Sequence, residues 1–192
     1  MPARIIAAFA TTAALATSTV LVAGSPAEAK PASLESSYVC ATALGDQTMA
    51  VTIKIDLPTK VKKGTKVKDR PVNMVVVVPE SLVTPMRDVL GITALSGSAS
   101  DIKYSVGSTK VPLAKVKIPR TDVPDSGPMT LKAKGIAKGF TLKKPGTYAV
   151  KIPKSFTFNA KNPDGATVPS SPFTCGLADG APSKLGTIKV TR

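Results

Sequence analysis

Two cysteines, Cys40 and Cys175, a close pair of aspartates, Asp122 and Asp125, and a basic run from Lys60 to Arg70 are the residues of this 192-residue chain whose types and spacing could do chemistry. The thiols could bridge, bind a metal or attack a substrate. The aspartates could share acid–base work, and the bases could hold an anion. The chain has no histidine, which excludes Ser–His–Asp and Cys–His catalysis, imidazole-ligated zinc and a histidine pH switch. A thiolate nucleophile would therefore lack its usual base. Thr121-Asp122-Val123-Pro124-Asp125-Ser126-Gly127 has the composition of a turn-rich loop. Glycoside hydrolysis needs two carboxylates held about 5–10 Å apart across a cleft, and calcium loops need a D-x-D-x-D-G spacing that is missing here. There is no G-x-S-x-G elbow, phosphate loop or dinucleotide fingerprint. The expectation is a protein without catalytic residues, metal or cofactor.

The basic run sets Lys60, Lys62, Lys63, Lys66, Lys68 and Arg70 against a single acid, Asp69. It is the candidate anion-binding segment, because each phosphate neutralised by a cation releases counterions. The matching partner for an exported protein is an anionic cell-wall polymer or the envelope surface. The plainer alternative is a solvated loop and an edge strand kept soluble by lysine. Over the whole chain, 26 Lys+Arg outweigh 12 Asp+Glu for a net charge of +14. Lysine dominates the run, whereas arginine supplies most bidentate base and phosphate recognition. With aromatics at only 4%, stacking platforms are scarce as well. Nucleic acid is not the expected physiological partner.

Export is read from the N-terminus. Arg4 precedes a small-residue apolar stretch from Ile5 to Val22, followed by Gly24, Ser25, Pro26 and Ala27-Glu28-Ala29. These are the charged, apolar and A-x-A parts of a secretory leader, with cleavage expected between Ala29 and Lys30. The organisation is thus a cleaved signal peptide over 1–29 and one domain over 30–192, without a transmembrane segment in the mature chain. The protein is expected outside the cell, free or held non-covalently on the wall. In that oxidising setting Cys40 and Cys175 read as one disulfide. Closing so long a loop stabilises by about 4–5 kcal/mol in the chain-entropy model.

The elements that must position these residues read mostly as strands. Val51 to Leu57 alternates apolar and polar, as do Ile102–Val106, Met129–Lys134, Tyr148–Ile152, Phe156–Phe158 and Ile188–Val190. Val72 to Val78 is nearly continuously apolar, which suits a strand covered on both faces. A short helix follows, with Thr84 as cap, Pro85 at its first position and Gly91 as its stop. Leu82, Met86, Val89 and Leu90 would share its buried side. Turn signals at Lys63-Gly64, Ser96-Gly97, Val106-Gly107, Ser126-Gly127-Pro128, Pro145-Gly146 and Pro163-Asp164-Gly165 cut the rest. The fold class is all-β: an Ig-like antiparallel β-sandwich of about seven to nine strands with one short helix after the Val-rich strand. A closed barrel is the rival. Lys54, Lys103, Lys117, Lys132, Lys151 and Lys189 fall on outward positions. On one face they would form a broad basic surface; split between faces they would only keep the protein soluble.

Tyr38-Val39-Cys40 leads into the Val51–Leu57 strand, and the Val-rich strand runs into Pro79-Glu80-Ser81-Leu82-Val83 and Leu90-Gly91. Leu95-Ser96-Gly97-Ser98-Ala99, Val106-Gly107, Phe173-Thr174-Cys175 and the Leu185–Val190 strand follow. In this order the chain resembles secreted actinobacterial proteins of unknown function, the DUF6801 type, over nearly all of the mature domain. The resemblance implies a two-cysteine, Ig-like extracellular domain at the cell surface, and it offers no active site to carry over. The resulting functional expectation is a secreted, non-enzymatic surface protein that binds anionic envelope polymers through lysines. The alternatives are a carboxylate-dependent extracellular hydrolase and a secreted protease inhibitor.

Overall fold

A computed structural model describes residues 29–192; the leader read over 1–29 lies, but for Ala29, outside them. The described residues form fourteen strands and one helix. The first half runs β1 (Ala29–Thr42), β2 (Gly45–Pro58), β3 (Lys60–Lys62), β4 (Lys66–Val67), β5 (Arg70–Val78), α1 (Glu80–Asp88) and β6 (Ala94–Ser100). The second runs β7 (Lys103–Val106), β8 (Thr109–Asp122), β9 (Met129–Ala137), β10 (Phe140–Thr141), β11 (Gly146–Lys151), β12 (Ser155–Lys161), β13 (Phe173–Leu177) and β14 (Lys184–Thr191).

The chain is all-β with one short helix after the Val-rich strand, as alternation predicts. Its layering differs from the sandwich. Hydrogen-bonded neighbours run β8-β6-β12-β13-β1-β2-β5-β9, and β9 pairs back onto β8. Eight antiparallel strands thus form a barrel-like ring, nearer to the rival reading than to an Ig-like sandwich.

The reason lies in β8. Val111 and Leu113 are buried, and then Val116 and Ile118, so the inward positions change parity between 113 and 116. Lys115 takes up the extra residue in a left-handed conformation, φ 55°, and the register with β9 shifts between Ala114 and Lys117. Such a bulge bends a strand and turns its two halves toward different partners. Thr109–Pro112 pairs with β7, and Val116–Asp122 with β6. At the seam a Cβ on Gly135 would lie 2.7 Å from Val116 Cγ2, so the absence of a side chain there lets β9 close against β8.

Strands β7, β11, β14 and β3 extend from the start of β8 as a second sheet, and β4 and β10 form a separate two-stranded ribbon. Its inner residues Val106, Val150, Ile188 and Val190 are at most 3% exposed. They cover the barrel end that carries Leu57 and Val72, where a void of about 30 Å³ lies between Leu57, Val72, Val150 and Ile152. The Ser36 hydroxyl donates to the Pro182 carbonyl (2.8 Å), tying β1 to the approach of β14.

Helix α1 covers the opposite end, and it starts earlier than its cap signal predicts. Pro79 is the N-cap and Pro85 sits inside. Leu82, Val83 and Met86 are buried over the barrel mouth, and that burial outweighs the lost bond at Pro85, whose usual acceptor belongs to exposed Ser81. Val89, expected inward, is 73% exposed. Gly91 does stop the helix: at φ 64° it lets the Ile92 N–H reach the Met86 carbonyl (3.0 Å) and its own N–H reach that of Arg87 (3.1 Å). The Val-rich strand β5 is covered on one face rather than two. Val72 and Val78 are buried, while Val75 and Val77 are only partly covered beside Thr52, Lys132, Ala50 and Thr130.

Cys40 and Cys175 form the expected disulfide. They face each other in the β1–β13 register with Cα atoms 4.0 Å apart, both 1% exposed.

Two tyrosines set an alkaline limit on the fold. The Tyr38 hydroxyl donates to the Pro153 carbonyl (2.7 Å) and that of Tyr104 to the Lys138 carbonyl (2.6 Å). Burial pushes both phenols well above their usual range, with the Asp69 charge adding to the effect at Tyr104. Because the folded values are raised, their contribution is intact below about pH 10 and falls above it, where only the unfolded chain loses the proton. Each phenol removes up to about 1.4 kcal/mol per pH unit. Circular dichroism and phenolate absorbance should therefore change together in alkali, and Tyr38→Phe/Tyr104→Phe should flatten the slope.

Candidate functional site

Alternation, with a β-bulge beside Lys151 that turns Lys184 outward, decides where the lysines of the second sheet point. Val61, Tyr104, Val111, Val150 and Val190 face inward, so their neighbours face water. Lys60 and Lys62 on β3, Lys103 on β7, Lys110 on β8, Lys151 on β11, and Lys184 and Lys189 on β14 are all exposed. Register places five of them in two rows. Lys110, Ser105, Lys151 and Lys184 lie side by side across four strands, and Lys60 lies beside Lys189. Neighbouring strands are about 4.8 Å apart and alternate residues about 6.8 Å. The result is a grid of lysine positions on neighbouring strands, interrupted in one row by Ser105.

Nothing acidic interrupts the grid. β3, β7, β11, β14 and Thr109–Pro112 contain no Asp or Glu. The ion pairs among the described residues are Arg87–Asp88, Arg120–Asp122 and Lys138–Asp69, none of which touches these lysines. Ser105, inside the grid, is only 7% exposed, as expected where flexible lysine stems lie over a small neighbour.

The basic run does not act as one loop. Lys60 and Lys62 join the grid, and Lys63 follows at its edge, where its N–H donates to the Thr191 carbonyl (2.8 Å). Lys66 turns away into a two-stranded ribbon with β10, opposite Thr141. Lys68 is exposed beyond it, and Arg70 opens β5, partly buried. The run's single acid is spoken for. Asp69 accepts from Lys138 Nζ (2.7 Å) and from the Gly139 N–H (2.8 Å). Chiefly the hydrogen bond from the Lys138 ammonium holds its carboxyl below the usual range.

The six outward lysines divide equally. Lys103, Lys151 and Lys189 belong to the grid. Lys54, Lys117 and Lys132 lie on the barrel wall with Lys134. The alternating runs do not single out Lys110 and Lys184, although each stands next to an inward aliphatic residue. On the wall, Lys117 and Lys134 are register partners, and like charges directly opposite destabilise a sheet. Lys134→Glu is expected to stabilise the fold by about 0.5–1 kcal/mol, raising Tm by about 2 °C. A thermal scan in low salt measures it.

Asp122 and Asp125 are exposed. Asp122 pairs with Arg120 (3.7 Å), and the carbonyls of Pro124 and Asp125 accept from Arg87. An open concavity of about 380 Å³ on the barrel wall, between Ser33, Lys54, Asp56 and Asn73, has Asp56 as its one carboxylate. No group of three His, Cys, Asp or Glu among the described residues is arranged to hold a metal. No helix among them is long and apolar enough to cross a membrane.

A family model described as "Family of unknown function (DUF6801)" matches residues 37–186, which include β6 to β13 and most of the basic grid. No curated protein and no solved structure matches the chain.

Proposed function

The chain belongs to the DUF6801 family, and from that premise we propose that it is an exported, non-enzymatic protein of the cell surface that binds phosphate-bearing envelope polymers. The carrying observation is the lysine grid: seven exposed lysines on one face of the second sheet, five of them in two register rows, with no acid among them. A rigid sheet presents these charges together, so a polyanion gains counterion release at several sites without ordering a loop. Lysine reads charge rather than shape, which suits a repetitive polymer better than one defined small anion. The buried disulfide supports an oxidising location, and the leader read over 1–29 supports export.

The test is binding of the mature chain to long-chain polyphosphate, with an uncharged polysaccharide as control. Binding to polyphosphate alone, weakening several-fold for each doubling of salt, is expected. Equal binding to both polymers would overturn the proposal, and so would fractionation that finds the native protein only in the cytosol.

A further inference from the structure

The barrel interior is not filled to its ends. Beneath α1 lies a cavity of about 90 Å³, walled by Met49, Val51, Val78, Leu82, Met86 and Phe158 among other apolar groups. A second void of about 50 Å³ continues inward, sharing Val51, Val76 and Phe158. Native cores have few voids larger than a water molecule. An eight-stranded barrel is just wide enough either to fill with side chains or to keep room for one small ligand. Apolar voids stay dry and accept apolar guests. A polar ligand would lose its water here with almost nothing to replace it.

We propose that this cavity seats the end of an unbranched aliphatic chain, admitted beneath α1. At about 30 Å³ for one water molecule, the cavity has room for about three, which corresponds to the last three or four carbons of such a chain. The walls suit it, since Met49 and Met86 are unbranched and adaptable. The rim offers the rest of the chain an apolar path: Leu44, Leu90 and Pro169 line the opening, the two leucines partly buried and the proline exposed. Val89 beside Leu90 is 73% exposed, the large hydrophobic side chain most open to water among the described residues. The cover can move without breaking a sheet. Its polar ties go to one loop: the Gly127 N–H donates to Glu80 Oε1 (2.9 Å), and Arg87 donates to the Pro124 and Asp125 carbonyls. Pro79 and Gly91 bound the helix.

The probe is 1-octanol, which is uncharged and so takes nothing from the lysine grid. It is titrated into the mature chain with isotopically labelled methionine methyl groups. The Met49 and Met86 signals are expected to shift and saturate, while that of Met129, which is 1% exposed and outside the cavity wall, stays in place. Ala160→Leu, which adds an isopropyl group of three carbons to the cavity wall, should weaken binding at least tenfold. Leu82→Ala, which enlarges the cavity, should tighten it. Val51→Ile adds one methylene and carries the filling test should Ala160→Leu not fold. Absence of saturable shifts at Met49 and Met86 would overturn the proposal. So would shifts that the filling variants leave unchanged, since these would report adsorption on the surface.

Discussion

Replacing Cys40 and Cys175 together by alanine is expected to cost about 4–5 kcal/mol, lowering Tm by about 10–20 °C. The bridge spans a sequence separation of 135, so the unbridged unfolded chain gains the entropy of a very long open loop. The position of the bridge adds to the effect. β13 links the β1-β2-β5-β9 side of the ring to the β12-β6-β8 side, yet it pairs with β1 at only three register positions: Tyr38–Leu177, Val39–Gly176 and Cys40–Cys175. The disulfide therefore staples one of the two ring links, with β8–β9, that pair at only three register positions. Both cysteines also wall the cavity under α1, and truncating them to alanine enlarges it, which adds to the loss rather than offsetting it. Thermal unfolding of the oxidised protein, the reduced protein and the double variant measures the effect. A loss below about 1 kcal/mol would show that strand pairing alone closes the ring and that the unfolded chain is already compact.

The same ring shows what a single sequence can and cannot reveal. Alternation in Val51–Leu57 or Met129–Lys134 identifies strands and their buried faces, because period two is a local property. The pairing of Cys40 with Cys175 is legible from their number and the expected export alone. Closure is not, since β8–β9 and β1–β13 contacts depend on which distant strands meet. One local sign of it did exist. Between Leu113 and Val116 the apolar positions change parity, which is how a bulge looks in a sequence. The helix start was misplaced because Thr84-Pro85 is a good local cap, and only the burial of Leu82 and Val83 at the barrel mouth reveals the competing start at Glu80. The grid was legible in part. Lys103, Lys151 and Lys189 stood out on alternating strands, whereas Lys60 and Lys62 were absorbed into a charged run. Their place beside Lys189 depends on the parallel β3–β14 pairing, a non-local fact.

Reversing Lys151, Lys184 and Lys189 together to glutamate is expected to weaken polyphosphate binding by about 100- to 1,000-fold near physiological salt, and to reduce the slope of log affinity against log salt by about 3. The three residues sit centrally in the grid: Lys151 and Lys184 are register partners, and Lys189 lies beside Lys60. All three are exposed and free of ion pairs among the described residues, so the fold should tolerate the change to within about 0.5 kcal/mol per site. The matched control reverses Lys54, Lys117 and Lys134 on the barrel wall. Both variants carry the same net charge, so any effect of overall charge on association is common to both. If the grid is the binding face, the wall variant keeps most of the affinity and nearly the full salt slope, because its lost charges lie outside the contact and act only through screened long-range attraction. Equal losses in the two variants would mean that the polymer responds to the charge of the whole particle, and that the lysines of the second sheet have no special part in holding it.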